Sequence, residues 1–118
     1  MFVSNEFDES RFTLDLPLIV AAVPWPILAS PYQLNPLRLV QWRAVEDFFR
    51  AVRTLVPILQ FGAVLEKSQK RFHPDRWRSR RLLPTVMNDE LRGSLEATGM
   101  IVSQAINHLV TNWKAEQT

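Results

Sequence analysis

A histidine and an aspartate flank a proline near the middle of the chain, at His73, Pro74 and Asp75. Proline lacks a backbone N–H and disfavours helical dihedrals in the residue before it, so a helix running up to Phe72 is predicted to stop here. Asp75 can accept hydrogen bonds from backbone N–H groups a residue or two further on and fix the turn. That turn would hold His73 outward and present an imidazole beside a carboxylate to a partner.

The chemistry available beyond this tripeptide is limited. The chain has two histidines and no cysteine, which excludes disulfides and thiolate metal sites. It shows no Gly-rich phosphate loop, paired catalytic carboxylates or metal-ligand spacing, so we expect no enzymatic activity, no metal and no cofactor. His108, late in a predicted helix, is expected to be a surface residue or a partner of the helix dipole. On its own, the tripeptide is interpreted either as a partner-binding turn or as a helix stop with an Asp cap.

Basic residues concentrate around the tripeptide. Residues 67–81 carry seven Lys or Arg against one Asp, whereas the whole chain has a formal net charge of only +2. The seven are Lys67, Lys70, Arg71, Arg76, Arg78, Arg80 and Arg81. This uneven layout suggests an acidic protein surface or a nucleic-acid backbone as the partner. Because the overall charge is small and no standard nucleic-acid-reading motif is present, nucleic acid is the weaker alternative, with Arg78, Arg80 and Arg81 as its added contacts.

The residues before the tripeptide form an amphipathic helical pattern. Phe61, Leu65 and Phe72 fall on one side at 100° per residue, and Lys67, Lys70 and Arg71 fall on the opposite side. We therefore expect a helix that is apolar inside and basic outside, and that leads directly into the tripeptide.

Two further helices are predicted. Asn35 as N-cap and Pro36 at the first position start an amphipathic helix of about 20 residues, which Pro57 ends or sharply kinks. Asn88 or Asp89 caps a last, longer helix that reaches about residue 115. The segment 76–87 between them is predicted to be a loop with one turn, from which Trp77, Leu82, Leu83 and Val86 pack onto the core.

The first 35 residues are rich in proline and, at the N-terminus, in acidic residues. Residues 1–10 are expected to be frayed, and residues 12–20 could form a short extended piece. The apolar run at residues 23–28, which contains Trp25, is predicted to lie as a strap across the helical core. A polyproline-type recognition ligand is the alternative.

The composition suits one small domain, because 118 residues with 47% hydrophobic content can bury a core. We divide it into an N-terminal segment, 1–35, that packs on a helical part, 36–118. No apolar run reaches the roughly 20 residues of a membrane helix, and acidic residues stand where a secretory signal would be positive. A cytoplasmic or nuclear location without membrane contact is the expectation.

The tripeptide His73-Pro74-Asp75 is the signature of J-domains, which stimulate the ATPase of seventy-kilodalton heat-shock chaperones, and this sequence resembles that family. The basic helix, the HPD loop and an apolar last helix follow in the J-domain order over residues 58–113. The last helix carries Ala105 and Leu109 where J-domains have an alanine-aromatic-x-x-leucine run, with Ile106 in place of the aromatic.

A fuller resemblance is to uncharacterised fungal J-like proteins that contain HPD and are related to NF-kappa-B inhibitor-like proteins. Those show a proline-tryptophan-proline element, an apolar helix, an arginine-aromatic-HPD-arginine-aromatic core and a final helix with an asparagine. This chain has the same elements in order, at residues 24–26, 45–49, 71–77 and 105–109. The first helix is longer than that of a J-domain and lacks its tyrosine-leucine start.

The resemblance implies an all-α domain of about three main helices, with a J-domain-like antiparallel helix pair flanking the HPD loop and a proline-rich N-terminal strap. It implies a co-chaperone-like protein-binding site with a heat-shock 70 partner. The residues expected to bind this partner are Lys67, Lys70, Arg71, His73, Pro74, Asp75 and Arg76. The alternatives are a protein-binding scaffold in which HPD is structural, and nucleic-acid binding. A homo-oligomer is a further interpretation, because the strap and the tryptophans could serve a dimer.

Overall fold

The computed structural model describes residues 6–28 and 36–117, and all regular secondary structure in these ranges is helical. The α-helices are α1 (Glu6–Glu9), α2 (Trp42–Leu55), α3 (Ile58–Phe72), α4 (Pro74–Ser79) and α5 (Asp89–Glu116). Short 3-10 turns occupy Val20–Ala22, Pro36–Arg38 and Leu83–Thr85. The predicted all-α class is therefore confirmed for the described part of the chain.

The longest helix, α5, is the element on which α2 and α3 both pack. It begins as predicted, because the side chain of Asn88 accepts a 2.8 Å hydrogen bond from the backbone N–H of Leu91. Leu95, Val102 and Ile106 on its inner face are fully buried. They recur at intervals of seven and four residues, which is the spacing that brings side chains to one face of a helix.

The helix before Pro57 is shorter than predicted. α2 begins at Trp42, not at Pro36, because Gln41 is extended, with φ −130° and ψ 162°. Val40, only 1% exposed, reaches the core from this non-helical connection. The predicted N-cap, Asn35, lies outside the described residues. Pro57 does end α2, and α3 starts at the very next residue.

The N-terminal segment shares one hydrophobic core with the helices. Val23, Trp25 and Ile27 of the segment predicted to be a strap are buried in that core. The predicted fraying is wrong for the described residues of this stretch, because residues 6–9 form α1 and Phe7 is only 3% exposed. The first five residues lie outside the described part. The predicted extended piece over residues 12–20 does not form a strand. Leu18 is buried, and the residues around it are irregular or belong to a 3-10 turn.

The far end of the helical bundle is closed by aromatic packing. Phe61 meets the ring of Trp113 edge-on at 5.1 Å between centroids. The guanidinium of Arg53 lies over both rings and pairs with Glu116 at 2.9 Å. A Cβ on Gly62 would lie 2.7 Å from the indole nitrogen of Trp113, so this close approach requires glycine. Among the described helices, none is both long and apolar enough to cross a membrane.

Candidate functional site

His73 is a one-residue junction between two helices. α3 ends at Phe72, and His73 has φ −63° and ψ 130° before Pro74 begins α4. Its Nδ1 accepts a 3.1 Å hydrogen bond from the backbone N–H of Asp75. The prediction that the Asp75 side chain caps the turn is therefore wrong, because His73 is the N-cap. A proline at the first helical position leaves the N–H of the second to be capped by the residue in front.

The carboxylate of Asp75 lies at the surface beside the imidazole. Its Oδ1 accepts a 2.9 Å hydrogen bond from Nη1 of Arg78, and its Oδ2 lies 3.9 Å from Nδ1 of His73. The side chains of His73 and Asp75 are 49% and 75% exposed. The sequence-based expectation of an outward imidazole next to a carboxylate is thus met. An exposed pair such as Asp75–Arg78 contributes little to folding, roughly 0–1 kcal/mol.

The cap hydrogen bond determines which proton the imidazole offers. Since Nδ1 of His73 accepts a hydrogen bond, the neutral ring carries its hydrogen on Nε2. Among the described residues, no acceptor is bonded to that N–H. The junction therefore presents three groups to solvent side by side: the Nε2–H donor of His73, the ring of Pro74 and the carboxylate of Asp75.

Trp77 anchors α4, and hence the junction, to the core. Its indole N–H donates a 2.8 Å hydrogen bond to the carbonyl of Arg71. Its ring lies 6.1 Å from that of Phe72 and 6.3 Å from that of Trp25. The predicted packing of Trp77 is confirmed, but the predicted loop over 76–87 is wrong, since it holds α4 and a 3-10 turn. The overlooked signal was Pro74 with Asp75, which also mark a helix start.

Arg71 is buried rather than exposed on the basic face. Its Nε and Nη2 donate to the two carboxylate oxygens of Asp8 at 2.9 and 2.8 Å, with the side chains 6% and 18% exposed. Burial acts to raise the pKa of Asp8, but the hydrogen bonds and charge of Arg71, with Lys67 and Arg80, hold that pKa below its ordinary value. Arg71 therefore holds α1 in place instead of facing a partner.

Arg80 is also directed toward the N-terminal segment. Its Nη2 donates to the carbonyls of Phe7 and Ser10 at 2.6 and 2.9 Å, and its guanidinium lies 4.7 Å from the centre of the Phe7 ring. Burial, followed by the charge of Arg76, lowers the pKa of Arg80 against the opposing effect of Asp8. The assignment of Arg80 to nucleic-acid contact therefore has to be corrected. The sequence did not reveal Phe7 and Asp8 as its neighbours, because they lie in a short polar stretch.

The remaining candidate residues form a smaller exposed set. Lys70, Arg76, Arg78 and Arg81 are exposed, and Lys67 and Pro74 are half-buried. Arg81 has a positive φ of 53°, which lets the chain turn away after α4. Of the predicted partner-binding residues, all except Arg71 thus reach the surface around the junction.

A groove lies against α4, and its lining contains no residue of α1. It has a volume of about 730 Å³ and runs between α4, the Leu83–Thr85 turn and α5. Its lining consists of Phe72, Pro74, Trp77, Arg78, Leu83, Pro84, Arg92, Glu96, Gly99 and Met100. Pro74 belongs both to this lining and to the tripeptide, so the groove adjoins the junction. No pattern in the sequence indicated it, since it is formed by residues from three elements.

Comparison with known proteins adds nothing to this geometry. No family model matches the chain, and neither the curated proteins nor the solved structures give a match. Within residues 6–28 and 36–117, no three His, Asp or Glu side chains are grouped so that they could hold a metal ion. A function has to be inferred from the junction and the groove themselves.

Proposed function

We propose that this chain is a protein-interaction module that docks through the His73-Pro74-Asp75 junction and acts as a co-chaperone, stimulating the ATPase of a heat-shock 70 chaperone. The observation that supports this is the exposed imidazole, whose Nε2–H has no bonded acceptor among the described residues, held beside an exposed carboxylate. A side chain fixed by its own cap loses little conformational entropy on binding.

The surrounding charge favours an acidic partner surface. Lys70 and Arg76 are exposed next to the junction, one from the last turn of α3 and one from α4. Positive charge at the edge of an interface mainly raises the association rate and sets specificity. Arg71 takes no part in this surface, because it is bonded to Asp8.

The test is steady-state ATP turnover by a heat-shock 70 chaperone with and without this protein. We expect a several-fold stimulation that His73→Gln abolishes, because glutamine has no acceptor at the position of Nδ1 and so loses the cap that holds the Nε2–H donor in place. Asp75→Asn should also reduce stimulation, while its backbone N–H keeps the cap. His108→Gln, a change at an exposed histidine on α5, is the matched control and should stimulate as the wild type does.

Circular dichroism would show that each variant is folded. Equal stimulation by wild type, His73→Gln and Asp75→Asn would exclude a role for the junction, and no stimulation by folded wild-type protein would exclude the co-chaperone activity.

A second candidate is a protein-binding scaffold in which HPD is structural. The observation that favours it is that His73 both ends α3 and caps α4, so its side chain already has a folding role. Here, His73→Ala should lower the free energy of unfolding by about 1 kcal/mol, the usual cost of losing an N-cap. Neither the wild type nor His73→Ala should then stimulate the ATPase of a heat-shock 70 chaperone. A chaperone response that depends on His73 would eliminate this candidate.

A further inference from the structure

We propose that the groove between α4, the Leu83–Thr85 turn and α5 binds a short apolar peptide segment that carries one Lys or Arg, whose cation pairs with Glu96. This inference rests on the proposed protein-interaction role and adds the chemistry of a second contact. It concerns the face of α4 that α1 leaves open.

The floor of the groove is apolar. Trp77 and Phe72 are buried beneath it, and Gly99 on α5 faces the indole. A Cβ on Gly99 would lie 3.6 Å from the six-membered ring of Trp77, so the indole packs directly against α5 at this glycine and the two together form the floor.

The rim is apolar and accessible. Met100 is 39% exposed, Pro84 is exposed and Leu83 is half-buried. Methionine adapts its shape to different ligands and is common at surfaces that bind apolar peptides. The volume of about 730 Å³ falls within the range usual for ligand sites. Since the rim is open to solvent, a peptide can enter from outside with its ends free.

The charges in the lining decide which peptide fits. Arg78 is paired with Asp75 at 2.9 Å. Arg92 donates to the carbonyl of Val86 at 2.8 Å and is also paired with Asp89.

Both cations of the lining are thus bonded within the protein, and among the described residues no hydrogen bond or ion pair involves the carboxylate of Glu96. The groove therefore offers an unpaired carboxylate beside an apolar surface. A peptide with a cation among apolar residues would bury its side chains and place a charge-assisted hydrogen bond on Glu96.

The experiment uses the whole chain and two synthetic peptides with blocked ends. One has lysine flanked on each side by two leucines, and the other has glutamate in place of the lysine; both carry serine-glycine ends for solubility. Titration followed by ¹H–¹⁵N and methyl NMR gives the dissociation constants and locates the site. We expect the lysine peptide to bind about fivefold more tightly or better, with the largest shifts at Gly99 and Met100.

Two variants test the role of the carboxylate. Glu96→Gln should remove the preference for lysine, and Glu96→Lys should reverse it. Glu90→Gln, a change at another exposed glutamate of α5 outside the groove, should leave the preference unchanged. Equal binding of both peptides to the wild type, an unchanged preference in Glu96→Gln, or shifts confined to other surfaces would overturn the proposal.

Other occupants would be recognised by the same measurements. Hexylammonium binding more tightly than the lysine peptide would overturn a peptide ligand in favour of a small amine. Concentration-dependent shifts at Gly99 without any peptide would do so in favour of a second copy of this chain. The junction is tested separately, because His73→Gln should keep the lysine preference and Glu96→Lys should keep ATPase stimulation. Loss of only one property therefore shows which proposal fails.

Discussion

The two sides of α4 differ in what covers them, although one indole lies between them. On one side α1 packs against the helix, with the ring of Phe7 6.2 Å from that of Trp77 and the carboxylate of Asp8 bonded to Arg71. On the other side the same indole forms the floor of an open groove. One side is therefore occupied by the chain itself, and the other is available to a ligand.

This difference separates basic residues that look equivalent in the sequence. Arg71 and Arg80 reach back to the N-terminal segment, and their hydrogen bonds hold it on the core. Lys70 and Arg76 lie close to them in the chain and remain exposed. The run of seven basic residues thus contains two that hold the fold together and five others at or near the surface.

The largest effect expected from breaking this arrangement follows Arg71→Ala. It would leave the partly buried carboxylate of Asp8 without its cation, and breaking a buried pair typically costs about 3 kcal/mol or more. Lys70→Ala, the change at the neighbouring exposed cation, should alter stability by no more than about 0.5 kcal/mol. Urea unfolding monitored by tryptophan fluorescence measures both. Similar losses in the two variants would show that α1 is not held by Arg71.

The same ion pair should make stability depend on acid pH. Because the pKa of Asp8 in the folded protein lies below its ordinary value of 3.8, the pair stabilises the fold above that value. The contribution is lost as the pH falls through the folded pKa. We expect Asp8→Asn to be less stable than the wild type at pH 7, and the difference to shrink as unfolding is measured from about pH 5 down to about pH 2.

The control for this pH dependence is Asp15→Asn, which changes an exposed carboxylate. Its difference from the wild type should be small at every pH. A constant gap between the wild type and Asp8→Asn down to the lowest pH would contradict the assigned role of the carboxylate.

Local sequence signals predicted the elements whose causes are local. The stripe that includes Phe61 and Leu65 gives α3, and Asn88 gives the start of α5, because periodicity and capping act within one or two turns. Trp25 was placed in the core because of its apolar neighbours, Trp77 was also predicted to pack there, and both are buried. The outward position of His73 was predicted from the turn at Pro74 and Asp75, although the cap is made by His73 and not by Asp75.

The features that the sequence did not reveal depend on residues far apart in the chain. Asp8 and Arg71 are separated by 63 positions, so nothing near Arg71 distinguishes it from Lys70. The groove likewise needs α4 and α5 side by side. The helix at residues 74–79 is too short to show a periodic pattern in the sequence, and it is held in place by the buried side chain of Trp77. The local sequence pattern therefore predicted which residues could bind a partner, but not which of them are already bonded to other residues of this protein.

The smallest expected effects come from adding a methyl group at the glycines of α5. These variants distinguish an effect on the stability of the fold from an effect on peptide binding in the groove. A Cβ added at Gly93 would meet no atom within 4 Å, so Gly93→Ala should gain about 0.5–1 kcal/mol from helix propensity. At Gly99 the Cβ would make an ordinary 3.6 Å contact with Trp77, so Gly99→Ala should also keep or raise stability.

Only Gly99→Ala fills part of the groove, and we expect it to weaken the lysine peptide while Gly93→Ala leaves its affinity unchanged. Gly62→Ala is the contrasting variant in α3, where the 2.7 Å approach to Trp113 should make the same substitution destabilising. Thermal unfolding and the peptide titration measure the two properties independently. If Gly99→Ala destabilised the protein as Gly62→Ala does, Trp77 would have to lie closer to α5 than the structure places it. The floor of the groove would then be closed, and α4 would be covered on both sides.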